Sequence, residues 1–391
     1  MQSFLNLLLA LPAVLAVATV DKRQSAETVP GSWIARLDNG GALSTVLTAL
    51  QATGIQAKHR YSIGSFQGFA FDADESLVDL VANIAQIATI EPDTRVAASA
   101  PVEKRALTQQ SPAEYGLVRL SRRARGGSSY IYDSTAGAGS TVYVIDTGIR
   151  ADHVEFGGRA VAGANFVLLE PNTDLNGHGT HCAGTAVGST YGVSKRANVI
   201  GVKVLGALGT GLNSGVLAGI DWAVNNARQN NRIGRSVISM SLGGGFSQQT
   251  NDAVAAAVAA GVFTVVAAGN DGADARQTSP ASEPTVFTIG AIDQNDMRAS
   301  FSNFGPVVDM FAAGVDVKSA WFRTRTDTNT ISGTSMACPH VAGLAAYIIG
   351  LEGQRTPAAL GDRLKTLATK NVVTNAGAGS PNNLAYNGNG T

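Results

Sequence analysis

Short apolar runs alternate with longer amphipathic stretches from Tyr115 onward. Runs rich in valine and isoleucine predict buried strands at Val142–Ile145, Val199–Val204, Val237–Met240, Val262–Val266 and Val286–Ile289. Helical spacing between these runs predicts helices at about His178–Val187, Ser214–Arg228 and Asn251–Ala260. This alternation predicts an α/β fold, with a largely parallel sheet covered by helices on both faces.

Residues 19–105 show a different pattern, which predicts a separate small α+β domain. The spacing predicts a strand at 32–37, a helix at 41–53, a β segment at 61–71, a second helix at 77–87 and a last strand at 88–93. This β-α-β-β-α-β order is that of a ferredoxin-like domain. The domain ends at Val102-Glu103-Lys104-Arg105, and the polar stretch 106–114 predicts an exposed, cleavable linker.

The run from Phe4 to Val20 is almost wholly apolar and contains the small-x-small triplet Ala16-Val17-Ala18. It predicts a secretory signal peptide over residues 1–18. A membrane anchor is the alternative, but the run is shorter than the ~20 residues that cross a bilayer. We therefore expect a secreted, extracellular protein without a membrane partner, divided into segments 1–18, 19–105 and 106–391.

Composition and charge narrow the class of protein. Apolar residues make up 45% of the 391 residues and charged residues 15%, which is typical of a compact enzyme and not of a disordered or fibrous chain. The 29 basic and 29 acidic side chains give a formal net charge of zero. Because no basic patch typical of polyanion binding is visible, we expect no nucleic-acid partner.

A serine among small residues, in Gly333-Thr334-Ser335-Met336-Ala337, directly precedes an apolar run that predicts a buried helix. A serine hydroxyl becomes a nucleophile when a base takes its proton, and that base needs a carboxylate to fix its tautomer. Asp146 ends the predicted strand Val142–Ile145, and His178 begins a Gly/Ala-rich helix. We predict Ser335 as nucleophile, His178 as general base and then acid, and Asp146 as the orienting carboxylate.

The strings V-I-D-T-G, H-G-T-H-C-A-G and G-T-S-M-A around these residues resemble signatures of the subtilisin family, which also has the chain order Asp, His, Ser. The resemblance runs from about Tyr115 to Gly388 and is to secreted, proteinase K-like serine proteases of fungi. It implies a subtilisin-like catalytic domain in a monomeric endopeptidase that is made as a zymogen and cleaves proteins or peptides. It also implies that residues 19–105 are a propeptide, which acts as intramolecular inhibitor and folding chaperone. A permanent accessory domain is the alternative.

Ala267-Ala268-Gly269-Asn270 resembles the family's oxyanion block. The resemblance implies that the Asn270 side-chain amide and the Ser335 backbone N–H donate hydrogen bonds to the developing oxyanion. The alternative is an asparagine that only precedes the turn pattern Asp271-Gly272.

The resemblance also implies that the substrate binds by strand addition between two edges of the chain. The edges are Ser241–Gly245 and Gly209–Gly211, whose glycines leave room for another backbone and a bulky P1 side chain. The expected substrate-binding residues are Gly209, Gly211, Ser241, Leu242, Gly243, Ala267 and Gly269. Neither Ser241–Gly245 nor Ala267–Asn270 contains an acidic residue, so we expect broad specificity with an apolar or aromatic P1 preference and no dibasic processing.

Ser279–Val286 together with Asp309 resembles the calcium loop of proteinase K. The resemblance implies a structural Ca²⁺ ion held by the backbone oxygens of Pro284 and Val286 and by the Asp309 carboxylate. A structural turn without an ion is the alternative, and no organic cofactor is expected.

His178, His181 and Cys182 are close enough in sequence to suggest a different metal site. The zincin pattern needs a glutamate where Gly179 stands, so we predict that His181 packs inside its helix. Cys182 and Cys338 each follow a predicted catalytic residue by about one helical turn. We expect two buried thiols there, with a disulfide bridge between them as the alternative.

An alternative function is a catalytically silent subtilisin-fold protein that binds peptides. All four predicted catalytic residues, Asp146, His178, Asn270 and Ser335, are present. Because the full set needed for acyl transfer is retained, the sequence favours an active enzyme.

Overall fold

The computed structural model describes residues 18–22, 28–63, 66–94 and 107–389. The chain divides into two compact units, Met1–Glu103 and Lys104–Thr391. The predicted signal peptide, apart from Ala18, and the predicted cleavage region at 102–106 lie outside the described residues. The boundaries at 18 and 105 therefore stay predictions.

The N-terminal unit contains a five-stranded sheet in the order β1-β5-β2-β4-β3. Its strands are Thr19–Val20 (β1), Thr28–Leu37 (β2), Ala57–Ile63 (β3), Phe66–Asp72 (β4) and Ile87–Thr94 (β5), and its helices are Leu43–Ala52 (α1) and Glu75–Ala82 (α2). All pairings are antiparallel except that of β1 with β5. The β segment expected at 61–71 consists of the end of β3 and most of β4, which pair antiparallel. Phe69 and Phe71 of β4 are buried in the core of this unit.

The second unit is built on a nine-stranded sheet in the order β19-β20-β16-β15-β13-β11-β8-β10-β9. These strands are Thr141–Asp146 (β8), Ala160–Asn165 (β9), Asn198–Lys203 (β10), Ser236–Met240 (β11), Phe263–Ala267 (β13), Phe287–Ile292 (β15), Met310–Ala313 (β16), Thr369–Lys370 (β19) and Asn383–Leu384 (β20). Every pairing is parallel except that of β19 with β20. The predicted α/β class with a largely parallel sheet is confirmed.

The remaining elements of this unit lie around the sheet. The helices are Tyr115–Leu120 (α3), His178–Val187 (α4), Asn213–Gln229 (α5), Gln248–Ala259 (α6), Thr334–Glu352 (α7) and Pro357–Leu367 (α8), with short 3₁₀ turns at Val154–Phe156 and Ala275–Gln277. Three small two-stranded sheets pair Leu107–Gln110 (β6) with Tyr130–Asp133 (β7), Gly244–Gly245 (β12) with Thr278–Ser279 (β14), and Val317–Ala320 (β17) with Thr328–Ile331 (β18).

Alternate residues of the central strand β8 enter two different hydrophobic cores. Val142 and Val144 pack in the cluster that contains residues of α4 and α7, whereas Tyr143 and Ile145 pack in the cluster of α5 and α6. A strand buried on both faces has no polar side, which explains its continuous apolar sequence. Among the described residues, α7 alone has the length and hydropathy of a membrane span, and it is instead the buried core helix.

Candidate active site

The carboxyl ends of the central strands bring Asp146 and His178 together. Asp146 is the last residue of β8, and its side chain is fully buried. His178 is the first residue of α4, and its Nδ1 lies 2.8 Å from Oδ1 of Asp146. About a quarter of the His178 side chain is exposed (25%). Because the carboxylate holds Nδ1, Nε2 is the nitrogen left to exchange a proton in the cleft.

The pKa of His178 is raised well above its ordinary value of 6.5. Burial by itself lowers this pKa, but the negative charge of Asp146 and its hydrogen bond to the ring favour the charged form. The site therefore stabilises the imidazolium that forms when His178 accepts a proton.

Two glycines allow α4 to begin directly against the end of β8. Gly177 has a φ of 110°, and a Cβ there would lie 2.5 Å from the Trp321 ring. A Cβ on Gly179 would lie 2.1 Å from the carbonyl oxygen of Gly148. Position 179, where a zincin would have a glutamate, is thus a glycine because α4 approaches the chain after β8 so closely.

Asp174 holds the first turn of α4 and was not identified from the sequence. Its side chain is almost fully buried (3% exposed) and accepts five hydrogen bonds. The donors are the backbone N–H groups of Asn176, Gly177 and Thr180 and the hydroxyls of Thr147 and Thr180. Asp174 thereby ties the helix that carries His178 to the residue after Asp146.

Ser335 is the second residue of α7 and lines the same cleft as His178. Its hydroxyl donates to the Ser241 carbonyl oxygen at 3.2 Å, and the Ser241 hydroxyl donates to the Ser335 carbonyl oxygen at 2.8 Å. This reciprocal pair fixes the start of α7 against the end of β11. Catalytic hydrogen bonds often form only when substrate is bound, so proton transfer to His178 requires a turn of the Ser335 hydroxyl.

The Asn270 side chain is oriented by Thr334. Its Oδ1 accepts the Thr334 backbone N–H at 2.8 Å and the Thr334 hydroxyl at 3.0 Å. Since a backbone N–H can only donate, the oxygen of the amide must face Thr334 and the NH₂ group must face away from it. Asn270 and Ser335 line one cleft, so this NH₂ group is available as an oxyanion donor.

A second buried asparagine, Asn303, organises the loop that carries Asn270. Its Oδ1 accepts the backbone N–H groups of Asp271 and Ala273, each at 3.0 Å, and its Nδ2 donates to the Ala268 carbonyl oxygen at 2.9 Å. The side chain is fully buried. Its sequence context, Ser302-Asn303-Phe304, has no feature that separates it from an ordinary turn residue.

The cleft is an open groove of about 1020 Å³. All seven residues expected to bind substrate line it: Gly209, Gly211, Ser241, Leu242, Gly243, Ala267 and Gly269. The structure therefore brings both predicted edges to the groove that contains His178, Asn270 and Ser335. Asp271 also lines it and is exposed. Asp271 directly follows Ala267–Asn270, the stretch without acidic residues, so the groove contains a carboxylate that the sequence prediction did not include.

A fully buried lysine, Lys203, connects the end of β8 to one substrate edge. Its Nζ donates to the carbonyl oxygens of Thr147 and Leu205, at 2.9 and 2.8 Å, and lies 3.0 Å from Oε2 of Glu170. The other carboxylate oxygen of Glu170 accepts the Ala207 backbone N–H at 3.0 Å. Ala207 precedes the Gly209–Gly211 edge, so the ion pair of Lys203 and Glu170 holds the segment that leads into this edge.

Both cysteines are free and buried. The Cys182 sulfur lies 3.9 Å from Nδ1 of His178, and burial raises the pKa of both thiols, that of Cys338 to about 12. The structure therefore contains two buried, neutral thiols and no disulfide bridge between Cys182 and Cys338. His181 is fully buried with Nε2 3.0 Å from the Val317 carbonyl oxygen, and burial lowers its pKa to about 4.

The Pro284–Val286 stretch directly precedes β15, and Asp309 directly precedes β16, the strand that pairs with β15. Oδ2 of Asp309 accepts the Thr288 backbone N–H at 2.9 Å, and Oδ1 lies 2.7 Å from the Lys365 ammonium group. Burial raises the pKa of the Asp309 carboxyl, and Lys365 and the Thr288 N–H oppose that rise. Both carboxylate oxygens already have partners, so this donor set does not fit a calcium ion.

Comparisons with known proteins agree with this geometry. Residues 137–390 match the model of the subtilase family, peptidase S8. Subtilisin-like protease 2 of Pseudogymnoascus destructans is 46% identical over 99% of this chain and 96% of its own length. The cuticle-degrading protease of Metarhizium anisopliae is 44% identical over 98% of both chains.

A solved structure extends the similarity to the fold. The crystal structure of a cold-adapted subtilisin-like serine proteinase is 46% identical, with a TM-score of 0.67 over 71% of this chain and 98% of the other. The chain therefore belongs to the subtilase family and is a subtilisin-like serine protease.

Proposed function

We propose that this chain is a secreted serine endopeptidase that hydrolyses proteins through an acyl-enzyme intermediate. The observation that carries the proposal is the hydrogen-bonded pair of Asp146 and His178, which opens into the groove that Ser335 and Asn270 line. These groups are the nucleophile, base, orienting carboxylate and oxyanion donor that acyl transfer needs.

In the first step, His178 takes the proton of the Ser335 hydroxyl as its oxygen attacks the scissile carbonyl carbon. The carbonyl oxygen becomes negative and accepts hydrogen bonds from the Asn270 NH₂ group and the Ser335 backbone N–H. His178 then gives its proton to the leaving amine, which breaks the peptide bond. Water then enters and gives a proton to His178 as its oxygen attacks the acyl carbon. The bond between this carbon and Oγ of Ser335 breaks as His178 returns the proton to Oγ, which releases the acid and restores the Ser335 hydroxyl.

The groove favours extended peptides of many sequences. Strand addition to Gly209–Gly211 and Ser241–Gly243 reads the peptide backbone, and the glycines leave space for side chains. An apolar or aromatic P1 residue is the expected preference, and the Asp271 carboxylate at the groove adds some acceptance of long basic side chains. Relatives named a cuticle-degrading protease and an alkaline protease support proteins as substrates.

Covalent labelling tests the chemistry. A sulfonyl fluoride should add one adduct to the intact mass of the purified enzyme, locate to Ser335 and abolish casein hydrolysis. Ser335→Ala should take up no adduct and lose about 10⁶ in kcat, which is the size of the loss measured in subtilisin itself and is borrowed from it. A variant that hydrolyses casein normally would remove Ser335 from the mechanism, and unlabelled, inactive wild type would indicate the silent peptide-binding protein.

Zymogen processing requires a separate experiment. If the enzyme cuts its own propeptide near Arg105, Ser335→Ala made in a host without dibasic-processing proteases should stay full length after signal removal. The wild type should yield a mature N-terminus within a few residues of Ala106, which N-terminal sequencing can locate. Processing of the inactive variant at the same position would assign maturation to another protease.

A further inference from the structure

The family resemblance implies calcium at Asp309, but a side chain of this protein already supplies a cation there. Lys365 lies in the last turn of α8, and its Nζ is 2.7 Å from Oδ1 of Asp309. The ammonium group also lies 5.5 Å from the centroid of the Phe287 ring. We propose that Lys365 replaces the calcium ion, so that this loop is stabilised by an internal cation and does not depend on metal. The inference is independent of the proposed catalytic mechanism.

The packing of α8 explains why the ammonium group reaches this position. Leu360 and Leu364 are buried, and Gly361 faces the Phe287 ring, where a Cβ would make ordinary van der Waals contact at 3.5 Å. These contacts fix the helix against the beginning of β15. Lys365 follows Leu364 directly, so its side chain extends from the edge of this contact to Asp309.

The coordination chemistry of calcium is incompatible with this arrangement. Ca²⁺ binds oxygen ligands at about 2.3–2.6 Å, whereas an ammonium group only donates hydrogen bonds and binds no metal. The Lys365 ammonium group lies 2.7 Å from Oδ1 of Asp309, and the Thr288 N–H donates to Oδ2, so both oxygens of the implied ligand already have partners. A bound dication would therefore have to expel Lys365.

Charge leads to the same conclusion. Asp309 is the single carboxylate of the implied ligand set, and Lys365 neutralises it. Among the described residues, three potential side-chain metal ligands come together only at Asp146, His178 and Cys182, so Asp309 does not belong to a cluster of that kind. Removing Lys365 would leave the Asp309 carboxylate, with 18% of its side chain exposed, without this ammonium partner. A variant that lacks Lys365 is therefore the form in which we expect calcium to bind at Asp309.

Melting temperatures of the mature enzyme, inactivated by a sulfonyl fluoride to prevent autolysis, test the proposal. The quantity compared is the shift between EDTA and millimolar CaCl₂. The wild type should show little shift at this site, because Lys365 needs no metal. Lys365→Ala should melt about 2–4 °C lower in EDTA and regain about 5–10 °C in calcium, which stabilises the folded state by mass action.

Arg355→Ala is a matched control. Arg355 pairs with Glu352 at 2.8 Å, with 33% and 15% of the two side chains exposed, close to the 43% and 18% of Lys365 and Asp309. The Arg355→Ala variant should have a lower melting temperature than the wild type, but the same shift between EDTA and CaCl₂. Lys365→Met keeps the aliphatic contact and serves if the alanine variant does not fold.

The comparison of calcium shifts has two outcomes. A larger shift in the Lys365 variants than in the wild type supports the replacement. An equal or smaller shift overturns it. Calcium binding by the wild type that Asp309→Asn abolishes, measured by calorimetric titration, also overturns it, whatever the Lys365 variants do.

Discussion

Asn270 illustrates how one residue obtains its role from a neighbour. Its amide oxygen is held by two hydrogen bonds from Thr334, the residue before Ser335, so nucleophile and oxyanion donor are positioned by the same turn. A preorganised donor does not need to reorient during the reaction, and this is the source of its catalytic effect.

Asn270→Ala should therefore lower kcat about 10²–10³-fold and leave KM nearly unchanged, because its hydrogen bond strengthens as the oxyanion forms. Steady-state kinetics on a chromogenic peptide provide the measurement. Asn382→Ala is the control, since Asn382 bonds to the Val373 backbone outside the groove and should affect stability alone. An effect confined to KM would reassign Asn270 to ground-state substrate binding.

At the scale of elements, the first turn of α4 is held by one buried carboxylate. Asp174 accepts hydrogen bonds from the backbone N–H groups of Asn176 and Gly177, which directly precede α4. Asp174 also accepts the N–H of Thr180 in the first turn of α4, where N–H groups have no intrahelical partner. It also accepts the hydroxyl of Thr147, the residue after Asp146. Helix capping and alignment of the catalytic pair thus depend on the same side chain.

Asp174→Asn should weaken both functions, because an amide NH₂ group would face donors where an acceptor is needed. We expect the free energy of unfolding to fall by about 1–3 kcal/mol and kcat/KM to fall by about 10²-fold through a displaced His178. Urea denaturation and peptide kinetics measure the two effects. Asp252→Asn, a change at the surface of α6, should alter neither. Loss of stability with unchanged kinetics would limit Asp174 to a capping role.

For the molecule as a whole, two buried histidines contribute to the loss of stability in acid. Burial lowers the pKa of His181 and of His340 from 6.5 to about 4. Between these values the unfolded chain binds protons that the folded chain does not, so the free energy of unfolding falls as the pH falls. His178 does not add to this pH dependence. Its pKa is raised in the folded state, so its contribution to the free energy of unfolding is already complete below pH 6.5.

Acidification of the inactivated enzyme from pH 6.5 to 4 should thus lower its stability, by at most about 3 kcal/mol for each of the two histidines. The measurement is the urea midpoint as a function of pH. His340→Leu should flatten the slope, even if it changes stability at neutral pH. A slope that is unchanged in this variant would exclude His340 as a source of the acid sensitivity.

The sequence by itself determined the features that depend on residues close together in the chain. Apolar runs such as Val142–Ile145 indicated the parallel sheet, because a strand buried on both faces must be apolar throughout. Asp146, His178 and Ser335 were identifiable because each stands among small residues next to a strand or helix end, where close backbone approach restricts the sequence. The chain order of the three then pointed to the family.

The tertiary structure decided which polar groups meet across the fold. Asn303 and Asp271 have ordinary sequence neighbours, and their places in the site depend on other segments of the chain. Asp174 bonds mainly to the residues that follow it, but its link to the catalytic pair is the hydroxyl of Thr147, 27 positions away. Lys365 lies 56 positions from Asp309, and only the packing of α8 brings its ammonium group to that carboxylate. Hydrogen bonds and ion pairs of this kind depend on distance in space, which local spacing does not contain.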